Sequence, residues 1–458
     1  MIENDAFKLL LINLFHLNPD DITNIVCTTF NKMMVLIVTL ADKHQACPYC
    51  GFTAPKIKEY VTKEITHSAL TTQKCIIKYR ARRYKCPCCR KTYYEFNPFV
   101  FKSQKISILT VHNILKDLKD FNETFTSVAR RYHVSPTSVS TIFDNHVDIG
   151  RNPLPEIINF DEVYAFKSEK SKYVCVLLDF KKQIPVDVLP NRKKEYLLNY
   201  FQKIPLEERK KVKYACSDMY EVYRDVVHKV FPEAKHLLDY FHLSQDFHKK
   251  MNEVRIKVMK GYKDNKASDE YYLLKKFNWL LFKNPEDEDK YGRLFDVERE
   301  RKYNSHFKSY MNYYDLRKKI LEINNDLTIC YSLKLELVDF YSKSTIDNAK
   351  VNLENLIRRF IDTNIEEMIK FSNNLINWKQ EIINSFTIVG TEYKVEADKG
   401  QVVVCNKKVN NAIIENRNKI IKCIKNNANG YTNWSRFRNR VMYVLDPSAT
   451  FSLEPREK

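Results

Sequence analysis

The sequence predicts a multidomain α/β protein: a mixed sheet interrupted by an all-α insertion and preceded by a zinc ribbon and a helix-turn-helix. Three observations predict this. Two Cys-x-x-Cys pairs stand 35 residues apart near the start of the chain. Three strand-like runs, then alternating helix and strand patterns, follow the linker Arg-Asn-Pro-Leu-Pro at 151–155. A stretch from 245 to 385, rich in Lys, Glu, Leu, Ile and aromatics, is almost wholly helical in pattern. The 458 residues exceed what one core usually supports. The expected organisation is an N-terminal segment (1–44), the ribbon (45–100) and a helix-turn-helix domain (101–150). The first part of the sheet (151–244), the insertion (245–388), the last part of the sheet domain (389–446) and a tail (447–458) follow.

Taken in order, 24–40 is rich in Val, Ile and Thr and reads as strands. In the ribbon, Cys47-Pro-Tyr-Cys50 and Cys86-Pro-Cys-Cys89 each bring two thiolates to a tight turn. Two such turns complete the four ligands of a closed structural zinc site. Cys88 is set aside because Cys86 and Cys89 repeat the two-residue gap; the remaining cysteines read as small apolar residues. Within 101–150, Val128, Ala129, Tyr132, Val134, Val139, Ile142 and Phe143 supply a packed face. Ser135 and Pro136 suit the N-cap and first position of a second helix. That helix offers Thr137, Ser138 and Thr141 outward to a groove, with Arg130 and Arg131 placed for phosphate.

In the sheet domain, 157–166, 173–180, 183–189 and 211–217 read as strands. Asp161 lies on the first and Asp218 ends the fourth. With the first and fourth strands side by side, the two carboxylates face one hard cation, magnesium or manganese. A third carboxylate comes from Glu415, the single acid of residues 401–440. On a helix it shares a polar face with Asn418, Lys419 and Lys422.

Charge narrows the partners. The chain carries 76 basic and 57 acidic side chains, a net of +19. Residues 51–100 hold 11 basic and 3 acidic side chains, and 401–440 hold 9 and 1. A basic excess concentrated in two segments fits a polyanion such as nucleic acid. Arg82 and Arg83 in the ribbon, and Lys407, Lys408, Lys419, Lys422, Arg436, Arg438 and Arg440 in the second segment, are the expected phosphate contacts. A hydrophobic content of 44% excludes a disordered basic tail. The longest nearly apolar run, 33–41, is about half a membrane span. No charged n-region followed by an apolar stretch opens the sequence, so secretion is not expected.

These residues resemble the bacterial DDE transposases of the insertion-sequence family called ISL-three. The matching stretches are Asn159-Phe-Asp-Glu162, Cys216-Ser-Asp-Met-Tyr220, Asp239-Tyr-Phe-His242 and the Glu415 helix. Asn429-Gly-Tyr-Thr-Asn-Trp-Ser-Arg-Phe437, with Arg438 and Arg440 behind it, completes the set. Ala412 and Asn416 stand where the family commonly has glycine. The resemblance implies an RNase H-like catalytic core with the triad Asp161, Asp218 and Glu415 on magnesium or manganese, and a helical insertion between the second and third acids. It implies Asp239 and His242 as accessory residues of an Asp-x-x-His signature. It also implies binding of terminal inverted repeats, cleavage and strand transfer on double-stranded DNA, a homodimer or higher assembly, and a bacterial cytoplasmic, nucleoid-associated setting. Two other readings fit the same residues: a zinc-ribbon and helix-turn-helix regulator with an inactive core, and a metal-dependent nuclease without strand transfer.

Overall fold

The computed structural model describes residues 2–43, 45–70, 72–101, 104–166, 171–395 and 402–456. The expected strand stretch 389–404 therefore lies partly outside the described residues, at 396–401.

Helix α1 (Ile2–Leu14) packs on a sheet formed by β1 (Ile22–Phe30), β2 (Met33–Leu40), β3 (Lys56–Thr66), β4 (Cys75–Lys85) and the short β5 (Thr92–Tyr94). The β1–β2 connection is a two-residue turn at Asn31 and Lys32, both with positive φ, as the twist of a tight hairpin requires. The order is β1-β2-β4-β3, with β2 and β4 parallel and β5 on β4. This one sheet runs across the boundary expected at 44/45, and its inner face buries Leu36, Cys75 and Ile77.

Three helices follow: α2 (Ile108–Asp117), α3 (Phe125–Arg131) and α4 (Pro136–His146). Each start is capped by a side chain: Ser107, then Thr124 in a capping box with Ser127, then Ser135 ahead of Pro136. His133, at φ 54°, makes the turn between α3 and α4. Val128, Ala129, Tyr132, Val139, Ile142 and Phe143 are buried together, with Val134 at the edge.

The central sheet holds β6 (Ile157–Val163), β7 (Val174–Asp179), β8 (Pro185–Leu189), β9 (Tyr214–Ser217) and β10 (Lys235–Leu238), in the order β10-β9-β6-β7-β8. Strands β10, β9 and β6 are parallel, and β7 and β8 run antiparallel. Between β8 and β10 lie α5 (Lys194–Gln202), α6 (Leu206–Arg209) and α7 (Glu221–Val230). Every residue of β7 is buried, because the sheet is covered on both faces. Cys175 and Leu177 face the cluster with Leu197, Phe201, Tyr223 and Val227 of α5 and α7. Val174, Val176 and Leu178 face the helices that end the chain.

The insertion contains α8 (Tyr240–Lys260), α9 (Asp269–Lys276), β11 (Glu288–Asp289), β12 (Gly292–Arg293), β13 (Lys302–Asn304) and β14 (Ser309–Met311). It continues through α10 (Tyr313–Glu322), α11 (Asn325–Lys343), α12 (Ala349–Ile361), α13 (Glu366–Asn377) and α14 (Lys379–Asn384). The expected all-α insertion is thus corrected by two hairpins, β11–β12 and β13–β14. Their strands of two or three residues are too short to show an alternating pattern. The chain returns through the hairpin β15 (Ile388–Val395) and β16 (Val402–Lys408), then α15 (Ala412–Asn427) and α16 (Trp434–Leu445). Ile414, Ile421, Ile424, Phe437 and Val441 of the last two helices close the second face of the central sheet. Among the described residues no helix is long and apolar enough to cross a membrane.

Candidate active site

The site lies at the carboxyl ends of the three parallel strands, where open α/β sheets place ligands. Asn159 of β6 pairs with Cys216 of β9, and Leu238 of β10 pairs with Ser217. Two residues beyond the first pair and one beyond the second, Asp161, Asp218 and Asp239 come level across adjacent strand ends. The backbone N–H of Asp239 donates to the Ser217 carbonyl at 3.0 Å, extending the ladder by one step.

Helix α15 packs on the face of β6 and β7 and is registered to β6 by amide side chains. The buried Asn159 donates through Nδ2 to the Asn410 carbonyl at 2.8 Å and to Asn411 Oδ1 at 2.7 Å. Asn411 Nδ2 donates back to the Phe160 carbonyl at 3.3 Å. The Asn411 carbonyl accepts the N–H of Glu415 at 2.9 Å as the helix begins. One turn on, Asn418 Nδ2 donates to Asp161 Oδ2 at 2.8 Å. Ala412 and Asn416, the departures from glycine, are exposed on a regular helix.

Asp161 and Asp239 are buried, and Glu415 is half-buried. Burial pushes the Asp161 carboxyl up to about 7, with the neighbouring Asp218 charge adding to the rise against the Glu162 amide. Burial also raises Asp218, joined by the charge of Glu162. Burial raises Asp239, with Glu415 contributing and His242 opposing. Asp218 Oδ1 and Asp239 Oδ2 are buried without a hydrogen-bond donor. Ionised carboxylates crowded in this way are costly unless a cation joins them, so the donor set fits hard divalent ions.

His242, in the first turn of α8, places Nε2 at 3.8 Å from both Asp239 Oδ2 and Glu415 Oε1. An open cleft beside it is lined by Asp218, Met219, His242, Gln245, Asp246 and Lys249. Sequence reading did not single out Arg192. It forms an ion pair with Glu162 and stacks over Tyr173 and Tyr220 at 4.7 and 4.6 Å. A lone arginine in the loop after β8 gave no spacing signal.

The four cysteines form a second cluster. Their Sγ atoms all lie within 4.8 Å of one another, with Cys47 to Cys89 at 3.7 Å and Cys50 to Cys86 at 3.5 Å. Tetrahedral zinc with Zn–S bonds of ~2.3 Å sets sulfur atoms about 3.8 Å apart, so the cluster fits that ion. The two turns match: Gly51 N–H donates to the Cys47 carbonyl and Arg90 N–H to the Cys86 carbonyl. Gly51 and Arg90 both have positive φ. Cys88 is exposed and outside the cluster.

The expected DNA contacts divide. Arg130, Thr137, Thr141, Lys419 and Lys422 are exposed, and Ser138 is half-buried beside Ser135. Arg83 pairs with Glu59, Arg131 with Asp117 and Glu123, and Arg436 with Asp144. Arg82 binds Glu95 and the Leu40 carbonyl, and Arg438 binds Asp187 and the Ile149 carbonyl. Lys407 lies over Phe180, and Lys408 lies over Phe386 and donates to the Tyr341 carbonyl. Arg440 departs furthest from the expectation. It is 1% exposed, and its Nη2 donates to the Asp120 and Glu123 carbonyls at 2.8 Å each, which makes it an interior strut.

Mixed sheets, many helices and a carboxylate cluster at parallel strand ends define an α/β protein. The family of DDE transposases of the ISL3 type, described as "Transposase", matches residues 158–397, and the chain belongs to that family. The match spans Asp161, Asp218, Asp239 and His242 and ends before Glu415. Comparison with curated proteins finds no match.

Proposed function

We propose that this transposase binds the terminal inverted repeats of an insertion sequence and catalyses metal-dependent cleavage and strand transfer of DNA. The observation that carries the proposal is the level placement of Asp161 and Asp218 at the ends of adjacent parallel strands, with α15 tied to β6 and its Glu415 facing His242 and Asp239 beside them in the strand order. The mixed sheet with helices on both faces supports an RNase H-like core for residues 151–244 and 389–446.

Asp161, Asp218 and Glu415 would hold divalent ions, magnesium or manganese. Such ions activate water or a 3′ hydroxyl and stabilise the in-line displacement at phosphorus. The chain's own work is positional. Asn418 fixes one oxygen of Asp161, and Asn159 and Asn411 hold the start of α15 in register. Arg192 holds Glu162 beside Asp218.

Cys47, Cys50, Cys86 and Cys89 would hold a structural zinc. The capped pair α3 and α4, with Thr137 and Thr141 outward, supports a helix-turn-helix that reads the element end. Exposed Lys419 and Lys422 on α15 would meet phosphate beside the carboxylates. As in other two-ended cleavage reactions, the proposed working unit is a homodimer or larger on DNA.

The test is incubation with a labelled element-end duplex and magnesium, wild type beside Asp161→Ala. Joined product from the wild type alone supports the proposal. Cleavage without joining favours a nuclease, and binding without cleavage favours a regulator.

A further inference from the structure

We propose that Asp239, His242 and Glu415 form a site for a divalent transition-metal ion, separate from the Asp161–Asp218 pair, with His242 supplying a nitrogen ligand. The site rests on the preceding reading in sharing Glu415 with it and in adjoining Asp218, which lines one cleft with His242. One ligand atom from each of the three residues lies within 4.8 Å of the others. His242 Nε2 is 3.8 Å from each carboxylate, too far for a hydrogen bond and a few tenths of an ångström wider than the ~3.4 Å between nitrogen and oxygen ligands of one tetrahedral ion with ~2.1 Å bonds. Asp239 is 3% exposed, and its Oδ2, facing His242, has no hydrogen-bond donor. His242 Nε2 is likewise buried without a hydrogen-bond partner. Two buried ligand atoms without another partner, Asp239 Oδ2 and His242 Nε2, with the half-buried Glu415 Oε1 facing the second, make a donor set that a cation would satisfy.

Local structure explains the placement. Asp239 closes β10 and precedes the first turn of α8, and three residues later His242 lies on the same helix face. Glu415 arrives from α15, held by the Asn159–Asn411 pairing. The donor chemistry sets the ion class. Magnesium takes oxygen ligands, whereas an imidazole favours transition metals such as zinc, with manganese accepting both donor types. Asp161 and Asp218 offer oxygen only, so the two places should differ in metal preference.

The experiment is pulsed electron paramagnetic resonance on the full-length protein loaded with manganese(II). The expected spectrum of the wild type shows nitrogen-14 modulation from a bound imidazole, and it persists in excess magnesium. His242→Ala should abolish the modulation, with correct folding checked by its thermal melt. Asp161→Asn should keep it while removing manganese bound through oxygen alone. Bound manganese without nitrogen modulation in the wild type would overturn the proposal, as would modulation that survives His242→Ala. Failure of DNA cleavage alone would strike the preceding reading and leave this one standing.

Discussion

The carboxamide of Asn418 donates to Asp161 Oδ2 at 2.8 Å, joining two residues 257 positions apart. Glu415 lies one turn before Asn418, so this bond and the Asn159–Asn411 pairing set the distance between the first and last acids. Asn418→Ala leaves a buried carboxylate with one donor fewer. It should cost about 1–3 kcal/mol of stability. If Asn418 positions Asp161, cleavage should also fall roughly 10–100-fold while affinity for the duplex stays unchanged. Thermal melts, single-turnover cleavage and binding on the same variant separate these effects.

The raised Asp161 carboxyl gives a pH signature. The folded chain holds this proton up to about pH 7, well above the carboxylate of an unfolded chain. The group's contribution to stability is therefore full near pH 4 and declines as pH rises through about 7. Asp161→Asn removes that decline. Without added divalent metal the variant should be more stable than wild type at pH 8, by on the order of 1–3 kcal/mol, and the advantage should shrink toward pH 5. Denaturation across that pH range reads the difference.

Arg90 occupies in the second cysteine turn the left-handed position that Gly51 fills in the first. A side chain there costs roughly 1–2 kcal/mol. Arg90→Gly should therefore raise stability by about 1 kcal/mol without changing metal content. Metal analysis should find one zinc per chain, lost in Cys86→Ser. Chelation should loosen the two cysteine turns and the adjoining ends of β3, β4 and β5 before the central sheet, which hydrogen exchange resolves.

Buried and exposed basic residues should behave oppositely. Arg440→Met removes two donors to carbonyls between α2 and α3 and should cost about 2–4 kcal/mol. Lys419→Ala and Lys422→Ala should leave the melting temperature unchanged. Each should lower the slope of log Kd against log salt by about 1. Filter binding over a salt series measures the slope.

Much of this was legible in the residues. Helix starts at Ser135 and Pro136 follow from local capping chemistry. The adjacency of the Asp161 and Asp218 strands follows from strand order. What was hidden depends on contacts distant in sequence. Charge alone did not show that Arg440 and Arg82 turn inward, because the carbonyls they satisfy belong to other segments. The parallel pairing of β2 with β4 joins two segments expected to be separate. The Asn159–Asn411 contact links residues 252 apart. Asparagines in strands and helix starts carry no pattern that announces such a pairing.

The most direct test of the central claim is strand transfer from a labelled element-end duplex in magnesium, with Asp161→Asn, Asp218→Asn and Glu415→Gln beside wild type. The account predicts cleaved and joined product from wild type, and loss of both steps in every variant while duplex binding and fold are retained. Cleavage that persists unchanged in any one of the three would contradict it.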